Sequence, residues 1–249
     1  MEKVSDYSIR NDLIFKHIFS NEVILKDFLE AVLNTKIDSI EVKEQYNLHE
    51  SNFFDKVCYL DIKAVINNEN IVSVEMQNFN DPYLLNRIVV YKSGLVREQI
   101  KTSEDYKHLK TVISIGILNY IEYNDLKNYH TFWETRERSN FNHKPLDVGV
   151  FHFIELAKFR KSTPNWNSKL DMWSAYIAGT NSEWVKRAMK ENGIIAEAER
   201  LRQEYLADKE NRELIDAYEV WKLGQRSREN RARDEGNISS DIHIPFIFK

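Results

Sequence analysis

The sequence is short of residues that break, swivel or staple a chain: four Pro, seven Gly and one Cys in 249 residues. So few of them leave little length for flexible linkers and exclude a disordered or collagen-like polymer. The lone Cys58 can neither close an intrachain disulfide nor seed a cysteine-ligated zinc cluster, which favours a reducing cytosol or leaves redox context irrelevant. Long apolar runs are missing too. No stretch approaches the roughly 20 residues that span a bilayer, and the opening MEKVSDYSIRND lacks the apolar segment of a signal peptide. A soluble, cytoplasmic protein with no membrane partner is expected. Without a glycine-rich phosphate loop, a nucleotide-driven motor or kinase has no support. The seven histidines are dispersed, and His143 and His152 fit no zinc spacing. Positive charge is not in excess: 35 Lys and Arg face 39 Asp and Glu, a formal net charge of -4. No global field draws in nucleic acid, so any such binding must be local.

What remains is a chain with 42% hydrophobic and 12% aromatic residues, enough for one large core or two modest ones. Residues 12 to 33 repeat apolar side chains at helical spacing, with a break near Ser20 and Asn21. Residues 37 to 48 read as extended. Val57 to Ile66 and Ile71 to Gln77 read as antiparallel strands joined by the polar turn Asn67-Asn68-Glu69-Asn70. A helix follows from Tyr83 to about Lys101, then a buried strand from Thr111 to Leu118. Residues 123 to 145 are irregular, with scattered aromatics, and Val148 to Leu156 suits a strand entering a helix. Short helices fit residues 165 to 192, and interleaved charges predict a helical extension from Ile195 to about Asp234. Its last part is basic through Lys222, Arg226, Arg228, Arg231 and Arg233, and the apolar end IHIPFIFK must dock somewhere or stay sticky.

The chemistry concentrates between Asp55 and Gln77. Strand side chains alternate, so Asp61 and Lys63 share one face, as do Ser73, Glu75 and Gln77 on the next strand. A register that aligns the apolar faces brings Asp61 close to Glu75. Two carboxylates in an apolar hairpin repel each other and lose hydration unless a positive group compensates. A divalent cation with a preference for hard oxygen ligands, magnesium above all, would do so, and the Met76 carbonyl could add an oxygen. The competing explanation is an ordinary amphipathic hairpin whose outer face carries Asp61 and Glu75, with Lys63 as their partner. The next helix carries Arg87 and Tyr91 four apart and Gln99 two turns on, a polar stripe suited either to phosphate or to a salt-bridged surface.

Five segments in order carry a resemblance: NDLIFKHIF at 11–19, LDIKAV at 60–65, VEMQ at 74–77, NRIVVYKSGLVREQI at 86–100 and YKHLKTVISIGIL at 106–118. Together they resemble the Rpn family of recombination-promoting nucleases, also described as PD-(D/E)XK nuclease family transposases, over about the first half of the chain. The resemblance implies an α/β fold: a restriction-endonuclease-like core with a mixed central sheet flanked by helices, followed by a helical C-terminal extension. It divides the chain into a nuclease-like domain over 1–160 and a mainly helical region over 161–249.

The same resemblance implies magnesium-dependent cleavage of DNA, with manganese as a substitute, and a link to recombination or transposition. Asp61 then corresponds to the family aspartate, and Glu75 and Gln77 to the acidic and terminal positions of E-x-Q. Asp61, Glu75 and the Met76 carbonyl would hold the metal, and Gln77 would position the attacking water. Gln77 stands where the general scheme has a lysine, so it would act through hydrogen bonds, with Lys63 adding charge. Arg87, Tyr91 and Gln99 match the family's helix and would contact phosphate or DNA. Asp12 and Lys16 match its D-x-x-F-K segment as accessory residues. A homodimer is compatible with this pattern. The alternative is an inactive nuclease-like module that binds DNA or a protein partner through the C-terminal helices.

Overall fold

The computed structural model describes residues 7–43, 61–100 and 106–234. The strand residues expected at 57–60, the extended stretch at 44–48, Cys58 and the apolar end of the chain lie outside the described residues.

Asparagine side chains start the first two helices. Asn11 accepts from the Leu13 and Ile14 amides to open α1, Asp12–Phe19, and Asn21 accepts from those of Val23 and Ile24 to open α2, Glu22–Leu33. Each cap satisfies amides that lack an intrahelical partner, which is why the chain turns a corner at Ser20 and Asn21. Strand β1, Ile40–Lys43, pairs antiparallel with β2, Ile62–Ile66, and β2 with β3, Asn70–Gln77. At the hairpin turn Asn67 and Asn68 take φ of 50° and 53°, a left-handed conformation that Asn tolerates better than most residues. The Asn67 side chain also accepts from the Asp38 and Ser39 amides, tying β1 to the turn.

Helix α3, Leu84–Arg97, carries the chain over to β4, Thr111–Leu118, which runs parallel to β3. Two more strands follow, β5 at His130–Thr135 and β6 at Leu146–Glu155. β6 is parallel to β4 and antiparallel to β5, so the six-stranded mixed sheet has the order β1-β2-β3-β4-β6-β5. β5 falls in the stretch expected to be irregular. It is an edge strand, half exposed throughout, so it carries no apolar alternation to betray it. β6 runs directly into the short helix α4, Leu156–Phe159, as expected, and helices α5, Lys169–Ala178, and α6, Ser182–Glu191, follow. Then come α7, Gly193–Ala207, and α8, Lys209–Asp234.

Residues 8–205 make one compact unit, while Tyr7 and the chain from Leu206 belong to a second. In the first, α3 covers one face of the sheet. Leu95 packs on Ile71 and Val112, and Leu84 and Ile88 pack on Leu118 and Phe153. On the other face Ile62, Ala64, Val72, Val74, Ile115 and Ile117 are buried. An aromatic cluster of Phe15, Phe19, Phe28 and Trp173 joins α1, α2 and α5. Inside it the Asp27 carboxylate takes bonds from Lys169 (2.7 Å), the Trp173 indole (3.0 Å) and the Asn192 amide (2.7 Å). One acidic group thereby pins three helical segments together. Among the described residues no helix is long and apolar enough to cross a membrane.

A carboxylate centre between the hairpin and the third helix

The β2–β3 register pairs Ile62 with Val74. Continued by one residue, it sets Asp61 opposite Glu75 on the face covered by α3. Asp61 is held there by its own backbone neighbour across the hairpin: the Met76 amide donates to Asp61 Oδ2 at 2.8 Å. Lys16, one turn into α1, places its ammonium 3.5 Å from Asp61 Oδ1. Gln77, on the same face of β3, donates from Nε2 to Glu75 Oε2 at 3.4 Å.

Glu75 itself is only 6% exposed. Its parallel neighbour in β4 is Gly116, and a side chain there would meet the Phe153 ring at 3.0 Å. The missing Cβ therefore lets an aromatic ring approach the sheet beside the carboxyl, which keeps water away. Burial pushes the Glu75 carboxyl well above the usual carboxylate range, and the negative charge of Asp61 pushes it further. Arg87 and Lys16 oppose the shift, and Asp12 adds to it. Glu75 Oε1 is buried and accepts no hydrogen bond from the described residues. A buried acid with one unsatisfied oxygen beside a second acid costs stability, and such strain is what a binding site retains.

Asp12, Lys16, Asp61, Glu75, Met76, Gln77 and Arg87 are thus brought to one place. Arg87 is anchored by Asp81, Nη1 to Oδ2 at 2.7 Å, and the same Asp81 accepts from the Tyr83 amide ahead of α3. Three other expected residues are placed elsewhere. Lys63 shares the face of Asp61, but its ammonium pairs with Glu98 just past α3 at 2.9 Å. Tyr91 packs against the Ile71, Leu95 and Val112 cluster. Gln99 brackets the Lys110 backbone, donating to its carbonyl at 3.1 Å and accepting from its amide at 2.7 Å. Lys110 precedes β4, whose Gly116 lies beside Glu75, so at about 3.3 Å per residue Gln99 works roughly 20 Å from the carboxylates.

Other polar residues near this end of the sheet carry no sequence signal. Glu155, fully buried at the end of β6, accepts from the amides of Glu122 (2.6 Å) and Tyr123 (3.1 Å) and pairs with Lys158. Arg10 stands two residues before α1 and Arg160 directly after α4, positions where an arginine is ordinarily a solvated surface residue.

A family model for the PD-(D/E)XK nuclease family transposases matches residues 9–229. The chain belongs to this family. The match runs well past the first half of the chain, so α4 to α7 and most of α8 lie within the family's common length. No curated protein and no solved structure matches the chain significantly.

Family membership turns the donor set into a question of metal chemistry. Among the described residues no three His, Cys, Asp or Glu side chains are grouped to hold a metal ion. Two carboxylates, one with an unsatisfied buried oxygen, do meet the Met76 main chain beside the Gln77 amide. Magnesium keeps several waters and needs one or two carboxylates, so the set fits a hard divalent cation and not a fully protein-ligated zinc.

Proposed function

We propose that the chain is a magnesium-dependent DNA endonuclease of the Rpn type, active in the cytoplasm, with manganese as a substitute and a role in recombination or transposition. The observation that carries this reading is the buried Glu75 beside Asp61, in a chain whose family is defined by nuclease chemistry. Asp61, Glu75 and the Met76 carbonyl would hold the cation. When bound, the cation supplies polarisation of the phosphodiester and a lowered pKa for the attacking water. Gln77 orients that water through its amide, which keeps the hydrogen-bonding part of a lysine's work and gives up its charge. Lys16 and Arg87 supply the charge instead, since both already act on Glu75 from the protein side. Asp12 sets the first turn of α1 and, with it, the position of Lys16. Lys63, Tyr91 and Gln99 support the reaction by holding α3 and β4 in place, through the contacts given above.

A second reading has one observation in its favour. α8 exposes Leu214, Val220, Trp221 and Leu223, and Trp221 stacks near Tyr218 ahead of the basic stretch that ends the helix. An inactive nuclease-like module would use this helix to bind DNA, a protein or a second copy of the chain.

Supercoiled plasmid, incubated with wild type, Asp61→Ala and Glu75→Ala, separates the two. Nicking by wild type only, with magnesium or manganese and not with EDTA, is the expected result. A folded wild type that cleaves nothing while binding DNA equally with and without metal would establish the module.

A further inference from the structure

Arg10 and Arg160 are 150 positions apart in sequence and reach the same end of the sheet, where Asn78 and Asn119 follow the paired strands β3 and β4. Arg10 Nη1 donates to the Ile177 carbonyl at 2.9 Å and to that of Ala178, the last carbonyls of α5. Arg160 Nη2 donates to Asn119 Oδ1. Both side chains are half-buried, and among the described residues neither has a carboxylate partner. The Arg160 Nε is buried and has no hydrogen-bond partner among the described residues. Burial, and after it the charge of Arg160, lowers the Arg10 guanidinium to about 10. Burial also lowers Arg160.

The Arg10 bonds have a structural purpose, since they close the C-terminal end of α5. Arg160 is different: an unsatisfied buried N–H on a cation, near a second cation, costs desolvation and repulsion, and among the described residues no carboxylate offsets either. A single anion between the two guanidinium groups would satisfy the Nε–H and offset their repulsion. Guanidinium forks match the oxygens of a phosphate, which makes this the ligand chemistry to expect.

The pair is tied to the carboxylate centre through the chain that follows Gln77. The Asn119 amide donates to the Gln77 carbonyl at 2.8 Å, and the Asn78 side chain donates to the Arg10 carbonyl at 2.6 Å. Gln77 is two residues beyond Glu75, roughly 7 Å along a strand. We propose that Arg10 and Arg160 form a phosphate-binding subsite that receives a nucleic-acid backbone phosphate adjacent to the one at the carboxylates. The nucleic-acid source of the phosphate rests on the nuclease reading; the anion chemistry does not.

The test uses full-length protein with Arg160→Gln, which removes the charge and the guanidinium fork and keeps an amide near the Nε position. Binding of a fluorescent DNA duplex is titrated with calcium in place of magnesium across a salt series, and melting is followed with and without inorganic phosphate. Arg160→Gln is expected to weaken DNA binding about tenfold and to lower the salt slope by about one. If Arg160→Gln unfolds, Arg160→Lys carries the test, with weaker binding at an unchanged slope because charge stays and the fork is lost. Wild-type binding of DNA that neither substitution alters would overturn the subsite. If wild type ignores DNA but inorganic phosphate raises its melting temperature and not that of Arg160→Gln, the subsite stands as a site for free phosphate and the nuclease reading fails. Phosphate that affects both proteins equally, with no DNA binding by either, overturns both.

Discussion

Acid should unfold this protein through two histidines that the catalytic reading does not use. His152 on β6 is 6% exposed, with Nδ1 at 3.0 Å from Nε2 of His130 on β5 and the Phe132 ring packed on it. One proton between the rings satisfies both nitrogens, whereas a second would set two N–H donors against each other and leave a cation in a dry place. Burial, then the charge of His130, pushes His152 down to about 4 from an ordinary 6.5, and burial lowers His130 as well. The folded state thus binds this proton later than the unfolded chain does. The resulting stabilisation is complete above 6.5 and drains away as pH falls toward 4. At about 1.4 kcal/mol per unit, His152 alone removes about 2 kcal/mol by pH 5 and about 3 kcal/mol by pH 4. Urea unfolding of wild type and His152→Asn, measured at pH 7, 6, 5 and 4, reads this directly. Asn keeps a hydrogen-bonding atom near the Nδ1 position and cannot titrate, so carboxylate titrations common to both proteins cancel in the difference. The wild type should lose about 2 to 3 kcal/mol more than the variant over that range. Parallel stability curves would refute the reasoning.

Glu75→Gln should abolish cleavage yet raise stability by about 1 kcal/mol, because it removes a buried charge that Asp61 repels while keeping the shape; a fall in the denaturation midpoint would mean that the carboxylate serves the fold. The same substitution should flatten the loss of stability with rising pH, since an acid held above its usual range favours the folded state only while it stays protonated. Asp27→Ala should cost about 3 kcal/mol, seen as a lowered urea midpoint, by leaving Lys169, Trp173 and Asn192 without their common acceptor.

Local pattern determined much of this protein. The caps at Asn11 and Asn21, the paired asparagines of the turn and the alternation from Asp61 to Gln77 act over a few residues. They therefore announce two helices, a hairpin and a pair of facing carboxylates without help from the rest of the chain. Strand β5 escaped because an edge strand needs no apolar face, and its pairing with β6 is made across a long connection. Helical periodicity put Arg87, Tyr91 and Gln99 on one stripe, but a helix spans a sheet from end to end. Only the parallel register of β3 and β4 decided that Arg87 acts on Glu75 while Gln99 grips the far end. Lys63 likewise has the right face, and its ion pair with Glu98 depends on where α3 lies. Arg10 and Arg160 show the limit most clearly. Each is unremarked in its own segment, and their shared need for an anion exists only because the fold desolvates both and sets one beside the other.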